Sequence, residues 1–327
     1  MSTSAGSGLL HAFLLDGTGG ATRLDWDGVR RWTERDGTLW IVLDYTAPDA
    51  AQWLATESRI DPLLREALVE NDPRPRAIAH ADDLFLIVRG INQNQDATPE
   101  DMISLRIWVE ARRVITMRHR MSRSLESLVS DLGRSVGPRT SADVAAMLVE
   151  RVVDHVTTRV DLLGDAISAG EDEVLTQTRG ELRAQLADHR RRAIALRRFL
   201  APQRDALLKL AQVAVPWFSV DHRSRVAEAA NQMARTIEEL EAARERAAVT
   251  QEELASRLSE MTNQRLYVLS IITAVFLPLG FVCALLGVNI GGIPFRNDDW
   301  AFWVLVAMFG IGVAFQIWLF KRKGWFG

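Results

Sequence analysis

Tyr267–Leu286 reads YVLSIITAVFLPLGFVCALL and Trp300–Phe320 reads WAFWVLVAMFGIGVAFQIWLF, and neither run contains a charged residue. A helix that crosses the hydrocarbon core of a bilayer needs about 20 apolar residues. Both runs reach that length, so both are expected to span a membrane rather than fill a soluble core. Arg265 precedes the first run, Lys321, Arg322 and Lys323 follow the second, and the connecting loop carries Arg296, Asp298 and Asp299. Basic residues favour the cytoplasmic side, and two crossings return the chain to the side it left. Both termini are therefore expected inside, with loop 288–299 outside. Trp300, Trp303, Trp318 and Trp325 suit the aromatic belts at the two interfaces. Two crossings cannot enclose a polar path, so a path through the membrane would need several copies of the chain around it.

Upstream of the first run, the stretch from Asp221 to Leu286 contains only Pro278 and Gly280 as helix breakers, and both lie inside the run itself. Ala, Glu, Arg and Leu dominate the rest, all strong helix formers. Apolar residues recur every seven positions at Val226, Met233, Leu240, Ala247, Leu254, Met261 and Val268. The companion series Ala230, Ile237, Arg244, Gln251, Leu258 and Arg265 is broken by polar residues. The pattern predicts a coiled-coil-like seam on one long helix. It would be a cytoplasmic stalk over 221–265 and would continue as the first spanning helix over 266–287, on the order of 100 Å in all. The second span is expected over 300–320 and a cytoplasmic tail over 321–327.

Residues 1–220 read as an α/β domain whose second half is helical. Short runs rich in Ile, Val, Leu and aromatics predict strands at His11–Leu15, Leu39–Tyr45, Leu84–Arg89, Met102–Val109 and Val114–Arg118. Helices are expected at Pro48–Ser58 and Pro62–Glu70, the latter capped by Asp61. After Ser122 the strand signal stops, and Ala142–Gly164, Asp165–Val174, Glu181–Leu200 and Arg204–Ala214 read as helices.

The overall composition, 48% hydrophobic and 25% charged, resembles that of a soluble protein only because a charged body is averaged with an apolar end. A net charge of −3 argues against a nucleic-acid partner. The single cysteine, Cys283, permits neither an intrachain disulfide nor a Cys-based zinc cluster. The Ser/Gly-rich start, Met1–Gly8, lacks the basic and apolar regions of a signal peptide. His11, His80, His119, His155, His189 and His222 are scattered without metal-ligand spacing and read as surface or packing residues. The basic run His189–Arg192 with Arg197 and Arg198, and the acidic groups Glu171–Glu173 and Glu238–Glu241, read as solvated helix faces. There is no phosphate-binding loop, no dinucleotide motif and no nucleophile–base pair, so no cofactor and no enzymatic activity are expected.

Beyond the first run comes Gly287-Val288-Asn289-Ile290-Gly291-Gly292-Ile293-Pro294. Gly and Pro suit a sharp turn out of the membrane. Asn289 reads equally as a cap on that turn and, repeated around a symmetric mouth, as a ring of oxygen acceptors for the water shell of a cation. This Gly-x-Asn stretch resembles the signature of the CorA metal-ion transporter superfamily, in the form found in its zinc-transporting branch. Val288 stands where the magnesium branch has Met, and Phe295 follows Pro294 where that branch has an acid. Ile60-Asp61-Pro62-Leu63, Glu66 and Asn71-Asp72-Pro73-Arg74-Pro75-Arg76 are similar to the family's helix and basic turn, so the resemblance covers nearly the whole chain.

The resemblance implies a funnel-shaped homopentamer in a cell inner membrane, in contact with lipid, with the first span lining the path and the second outside it. It implies an outer entrance at Gly287, Val288 and Asn289, with Asp298 and Asp299 attracting cations from the loop. Counting back from Asn289 at helical spacing gives Leu277, Thr273, Ser270 and Leu266 as pore-lining residues, the hydroxyls for a hydrated ion and the leucines as constrictions. The implied cargo is a divalent cation, Zn²⁺ first, with Cd²⁺, Ni²⁺ or Co²⁺ besides. The branch is associated with proton coupling, although neither run holds an Asp, Glu or His to carry the proton. Arg265, Arg244 and Gln251 interrupt the seam, and a ring of Arg265 facing the path would repel cations. The alternatives are a Mg²⁺/Co²⁺ channel of the same architecture and a membrane-anchored sensor or scaffold.

Overall fold

A seven-stranded sheet whose central strands bury both faces organises the N-terminal part of the molecule. Its strands are β1 (Leu9–Leu15), β2 (Ala21–Arg23), β3 (Thr38–Asp44), β4 (Arg76–His80), β5 (Asp83–Gly90), β6 (Ile103–Val109) and β7 (Arg113–Arg118). The computed structural model describes residues 7–94, 98, 101–176, 180–287, 298 and 300–322. The sheet order is β2-β1-β3-β7-β6-β5-β4. β3 and β7 pair in parallel and the other neighbours antiparallel.

Period-two alternation assigns the two faces. Leu39, Ile41, Leu43, Phe85, Ile87, Trp108 and Ile115 pack on one side with Val29, Trp53, Leu54 and Leu68. Those four come from α1 (Trp26–Arg31), α2 (Pro48–Thr56) and α3 (Pro62–Val69). Trp40, Val42, Leu86, Val88, Leu105, Ile107 and Val114 pack on the other side. There they meet α4 (Arg123–Gly133), α5 (Ser141–Thr176), α6 (Gly180–Ala211) and the first part of α7 (Val220–Gly287). The result is three layers, helix–sheet–helix. Full burial of each Leu, Ile or Val stabilises it by about 1.5–3 kcal/mol. Asp61 caps α3, its carboxylate accepting from the Leu63 N–H at 2.9 Å.

The structure corrects the expected helix boundaries. Ala142–Gly164 and Asp165–Val174 are one helix, α5, which passes through Gly164 without a break. Glu181–Leu200 and the helix expected from Arg204 are likewise one helix, α6, which continues through Pro202 and ends at Ala211, short of the expected Ala214. Proline removes one intrahelical hydrogen bond. The burial of Leu200, Gln203, Ala206 and Leu207 around it holds the helix together. Gln203 accepts from the Arg89 N–H at 2.6 Å, which ties this point of α6 to β5. Two strands and two helices have no counterpart in the sequence reading: β2 has three residues, β4 is largely exposed, α1 is a six-residue helix, and α4 spans eleven residues.

The chain divides into two compact units, Met1–Glu252 and Glu253–Gly327. In the first, Val226, Met233, Leu240 and Ala247 of α7 are buried in the core shared with α5 and α6. Thr236 bonds Thr157 at 2.8 Å, and Arg225 donates to both carboxylate oxygens of Glu150 at 2.8 and 2.7 Å. This part of the seven-residue seam is therefore covered from within the subunit. Gln251, which interrupts the companion series, donates to the Arg183 carbonyl of α6 at 3.4 Å.

The second unit contains the remainder of α7 and α8 (Ala301–Arg322). Both carry helical segments long and apolar enough to cross a membrane. Their large apolar side chains are exposed, among them Phe276, Phe281, Trp303 and Ile311. Such surface is stable in lipid and costly in water.

Candidate functional site

The sequence places the candidate pathway on the spanning part of α7. Leu266, Ser270, Thr273 and Leu277 are exposed and follow one another at intervals of four, three and four residues. At 100° per residue that spacing aligns them as one stripe. Ile271, Ala274, Val275, Leu279 and Val282 are partly buried and form a second stripe on nearly the opposite side. On α8, Leu305, Phe309, Val313 and Gln316 are the corresponding partly buried residues. Gln316 Nε2 donates to the Ala274 carbonyl at 3.2 Å, which identifies these two stripes as the contact between the helices. The four candidates thus share the side of α7 turned away from α8.

The hydroxyls on the exposed stripe point back onto their own helix. Ser270 Oγ donates to the Leu266 carbonyl at 2.8 Å and Thr273 Oγ1 to the Leu269 carbonyl at 2.9 Å. Each hydroxyl spends its proton in this way and keeps its lone pairs. A hydroxyl so placed is left free to accept a hydrogen bond. Leu277 is 71% exposed and Leu266 55%, so neither apolar side chain has its packing completed within one chain.

Arg265 lies off this stripe. It shares an open hollow of about 340 Å³ with Met261, Gln264 and Val268. One residue before Leu266, it projects about 100° away around the helix. Gly287 is the last residue of α7. Asp298 lies just before α8, where its carbonyl accepts from the Ala301 N–H at 3.0 Å. Val288, Asn289 and Asp299 lie outside the described residues, as do Trp325 and Lys323.

Among the described residues, no group of three or more His, Cys, Asp and Glu is placed to hold a metal ion. A cavity of about 210 Å³ is lined by Tyr45, Arg89, Arg106, His119 and Arg120, with Asp72 and Asp101. Arg89 pairs with Asp72 and Arg120 with Asp101. Arg106 is buried, with its guanidinium 4.0 Å from the centre of the Tyr45 ring. Burial lowers its pKa from the usual arginine value. Three guanidinium groups against two occupied carboxylates make the cavity hostile to a divalent cation. Two of the histidines serve as local partners: His222 faces Asp143 at 3.1 Å and His155 faces Ser124 at 2.8 Å. The basic run of α6 is neutralised piecemeal, Arg191 by Asp188 and Arg197 by Glu241.

A protein-family model described as CorA-like Mg²⁺ transporter protein matches residues 35–322. The chain belongs to the CorA-like family. Members similar to it include the divalent cation transporter CmaX of Pseudomonas aeruginosa, 37% identical over 321 residues that cover 97% of each chain. The zinc transport protein ZntB of Yersinia pseudotuberculosis is 33% identical over 319 residues, covering 98% of this chain and 96% of that one. The structure of full-length CmaX superposes with a TM-score of 0.85 at 36% identity, covering 98% of this chain and 99% of the other. The CorA magnesium transporter of Methanocaldococcus jannaschii shares the fold, with a TM-score of 0.81 at 17% identity over 99% of this chain and all of that one. The CorA-like architecture of an α/β domain, a long helix and two candidate spanning helices is thus common to this chain and these structures.

Gln316 is the polar residue among the contact positions named above, and the sequence reading did not single it out. The signal was available, since it is the single amide in the otherwise apolar run Trp300–Phe320. What it serves is visible only once the two helices are side by side.

Proposed function

We propose that this CorA-like chain is one subunit of an oligomeric transporter that carries divalent metal cations, with Zn²⁺ as its cargo, across a bacterial inner membrane. The observation that carries the reading is the stripe Leu266, Ser270, Thr273 and Leu277 on the side of α7 away from α8. An α7 placed inward and an α8 placed toward lipid put two hydroxyl acceptors between two apolar constrictions. Such a path passes a hydrated ion without binding it tightly. Five copies around an axis, the arrangement expected for the family, would enclose that path.

In this reading Gly287, Val288 and Asn289 form the outer entrance, and Asp298 and Asp299 draw cations to it from the external loop. Both termini are cytoplasmic. Arg265, turned off the stripe, does not present a ring of positive charge to the cargo. The relatives named for zinc and for divalent cations support Zn²⁺ as cargo, with Cd²⁺, Ni²⁺ or Co²⁺ as further substrates. The pathway offers no thiolate or imidazole, the ligands that would strip zinc of water and hold it. The reading contains no enzymatic step and no resident cofactor. The family description names Mg²⁺, which makes Mg²⁺ the competing cargo. Val288 and the lack of an acid after Pro294 weigh against it.

The test is metal uptake into liposomes holding the purified protein. Zn²⁺ and Mg²⁺ are compared, with and without a pH gradient, for wild type and Asn289→Ala. Zinc flux that drops at least tenfold in the variant is the expected result, and a dependence on the gradient would add proton coupling. Magnesium flux alone would move the chain to the channel reading. No flux of either ion would leave a tethered sensor or scaffold.

A further inference from the structure

We infer that Gln316 is a positioning residue for the first span: its side-chain amide supplies the hydrogen bond that Pro278 cannot, and so fixes α8 against α7 at the level of the proline. Pro278 lies inside α7. Proline has no N–H, so the carbonyl four residues earlier, that of Ala274, lacks its intrahelical donor. In water a solvent molecule would fill the vacancy. In hydrocarbon none is present, and an unsatisfied backbone carbonyl is costly.

Gln316 Nε2 donates to this carbonyl, at 3.2 Å. Two nearby hydroxyls are already committed elsewhere, Ser270 to the Leu266 carbonyl and Thr273 to that of Leu269. Gln316 is itself an amide in an apolar run, and it gains a partner that makes its placement in lipid tolerable. The single amide of one span thus meets the proline-orphaned carbonyl of the other. Leu277, the residue just before Pro278, lies on the opposite side of α7. The bond therefore braces, from the α8 side, the turn that carries Leu277. On the transport reading given above, α8 would then shape the pathway without touching the cargo. The bond itself does not depend on that reading.

The experiment is a double-mutant cycle on the full-length protein, read as the unfolding equilibrium constant in bilayers or micelles. Hydrogen bonds between spanning helices are worth about 0.6–1.7 kcal/mol, so Gln316→Met should raise that constant about 3- to 20-fold. Pro278→Ala restores the backbone N–H at position 278. In that background Gln316→Met should change the constant by less than about twofold, because the carbonyl is already served. A Gln316→Met protein that folds only with Pro278→Ala present is the same result in stronger form. Equal losses in both backgrounds, or failure to fold in both, would overturn the inference. If Pro278→Ala itself does not fold, Gln316→Glu decides in the native background. An ionised carboxylate cannot donate, so this variant should lose at least as much as Gln316→Met and recover as pH falls and the carboxyl gains its proton. A Gln316→Glu protein as stable as wild type at a pH where its infrared carboxylate band shows it to be ionised would show that donation to Ala274 is not what Gln316 provides. These readouts do not involve metal flux, so they stand apart from the outcome of the transport assay.

Discussion

Replacement of Arg89 by methionine tests what holds the turn Asn71–Arg76 to the sheet. Arg89 is 5% exposed and sits in β5. Its guanidinium donates to the Pro73 carbonyl at 3.2 and 2.8 Å and to the Met102 carbonyl at 3.0 Å, and it pairs with Asp72. Asp72 has a positive φ of 49°, a conformation that Asp tolerates better than most residues. The guanidinium also lies 4.7 Å from the centre of the Phe199 ring on α6. Methionine keeps the packing of the stem and removes every donor. Two carbonyls then lose their partner, at about 1–3 kcal/mol each. Asp72 is largely exposed and rehydrates at little cost. Release of the guanidinium from a buried site offsets part of the loss, which leaves about 3 kcal/mol. For a unit of this size that corresponds to a fall in Tm of about 6–12 °C. Arg76→Met is the control, because it breaks the partly exposed pair with Glu70 and should cost less than about 1 kcal/mol. The assay is thermal unfolding of the detergent-solubilised protein, followed by far-UV circular dichroism. An Arg89→Met protein that melts within about 2 °C of wild type, or together with Arg76→Met, would refute the reasoning.

Two further perturbations probe charge in the first unit. Burial, with the nearby Glu110 charge second, raises the carboxyl of Asp83 from 3.8 to about 6. The folded state therefore holds this proton more tightly than the unfolded chain, and the associated stability is complete below pH 3.8 and lost as pH rises through about 6. At full strength the shift is worth about 3 kcal/mol, and partial exposure reduces it to about 1 kcal/mol. Asp83→Asn should thus be more stable than wild type at pH 7.5 and not at pH 3.5, and a gain of the same size at both pH values would contradict the assignment. Asp143 behaves in the opposite way. Burial raises its pKa, but hydrogen bonds from His222, Thr140 and the Arg139 N–H outweigh it and hold the carboxyl below 3.8. Its contribution is therefore present above that value and is lost as pH falls through the lower, folded-state pKa. Asp143 also forms a capping box with Thr140 at the start of α5, so Asp143→Ala should cost about 2 kcal/mol at neutral pH. Denaturant titration at pH 7 checks this, and a loss under about 0.5 kcal/mol would count against the box.

The features legible in the sequence were those written in local pattern. Two uncharged runs of spanning length, a long stretch without breakers and five strands of alternating apolar residues need no knowledge of what lies across the chain. The boundaries that went astray are those at which local preference was overridden. Pro202 would end a helix in isolation. In the protein it is flanked by Leu200 and Leu207, both fully buried, and their packing outweighs one missing hydrogen bond. β2 and β4 pair at the two edges of the sheet, are short and bury little, so no apolar alternation announces them.

For the candidate site the division is similar. Ser270, Thr273, Leu266 and Leu277 fall on one stripe by helical spacing alone, a property of any helix. Which side α8 covers was not written in that spacing. It was decided by the contact that places Gln316 on the Ala274 carbonyl and turns the stripe away. The seven-residue seam of α7 likewise declared itself as apolar in sequence. That Val226, Met233, Leu240 and Ala247 are buried within their own subunit depended on α5 and α6. Periodicity determines which side of a helix avoids water; what covers that side is chosen by elements far away in the chain, and only the tertiary structure brings them together.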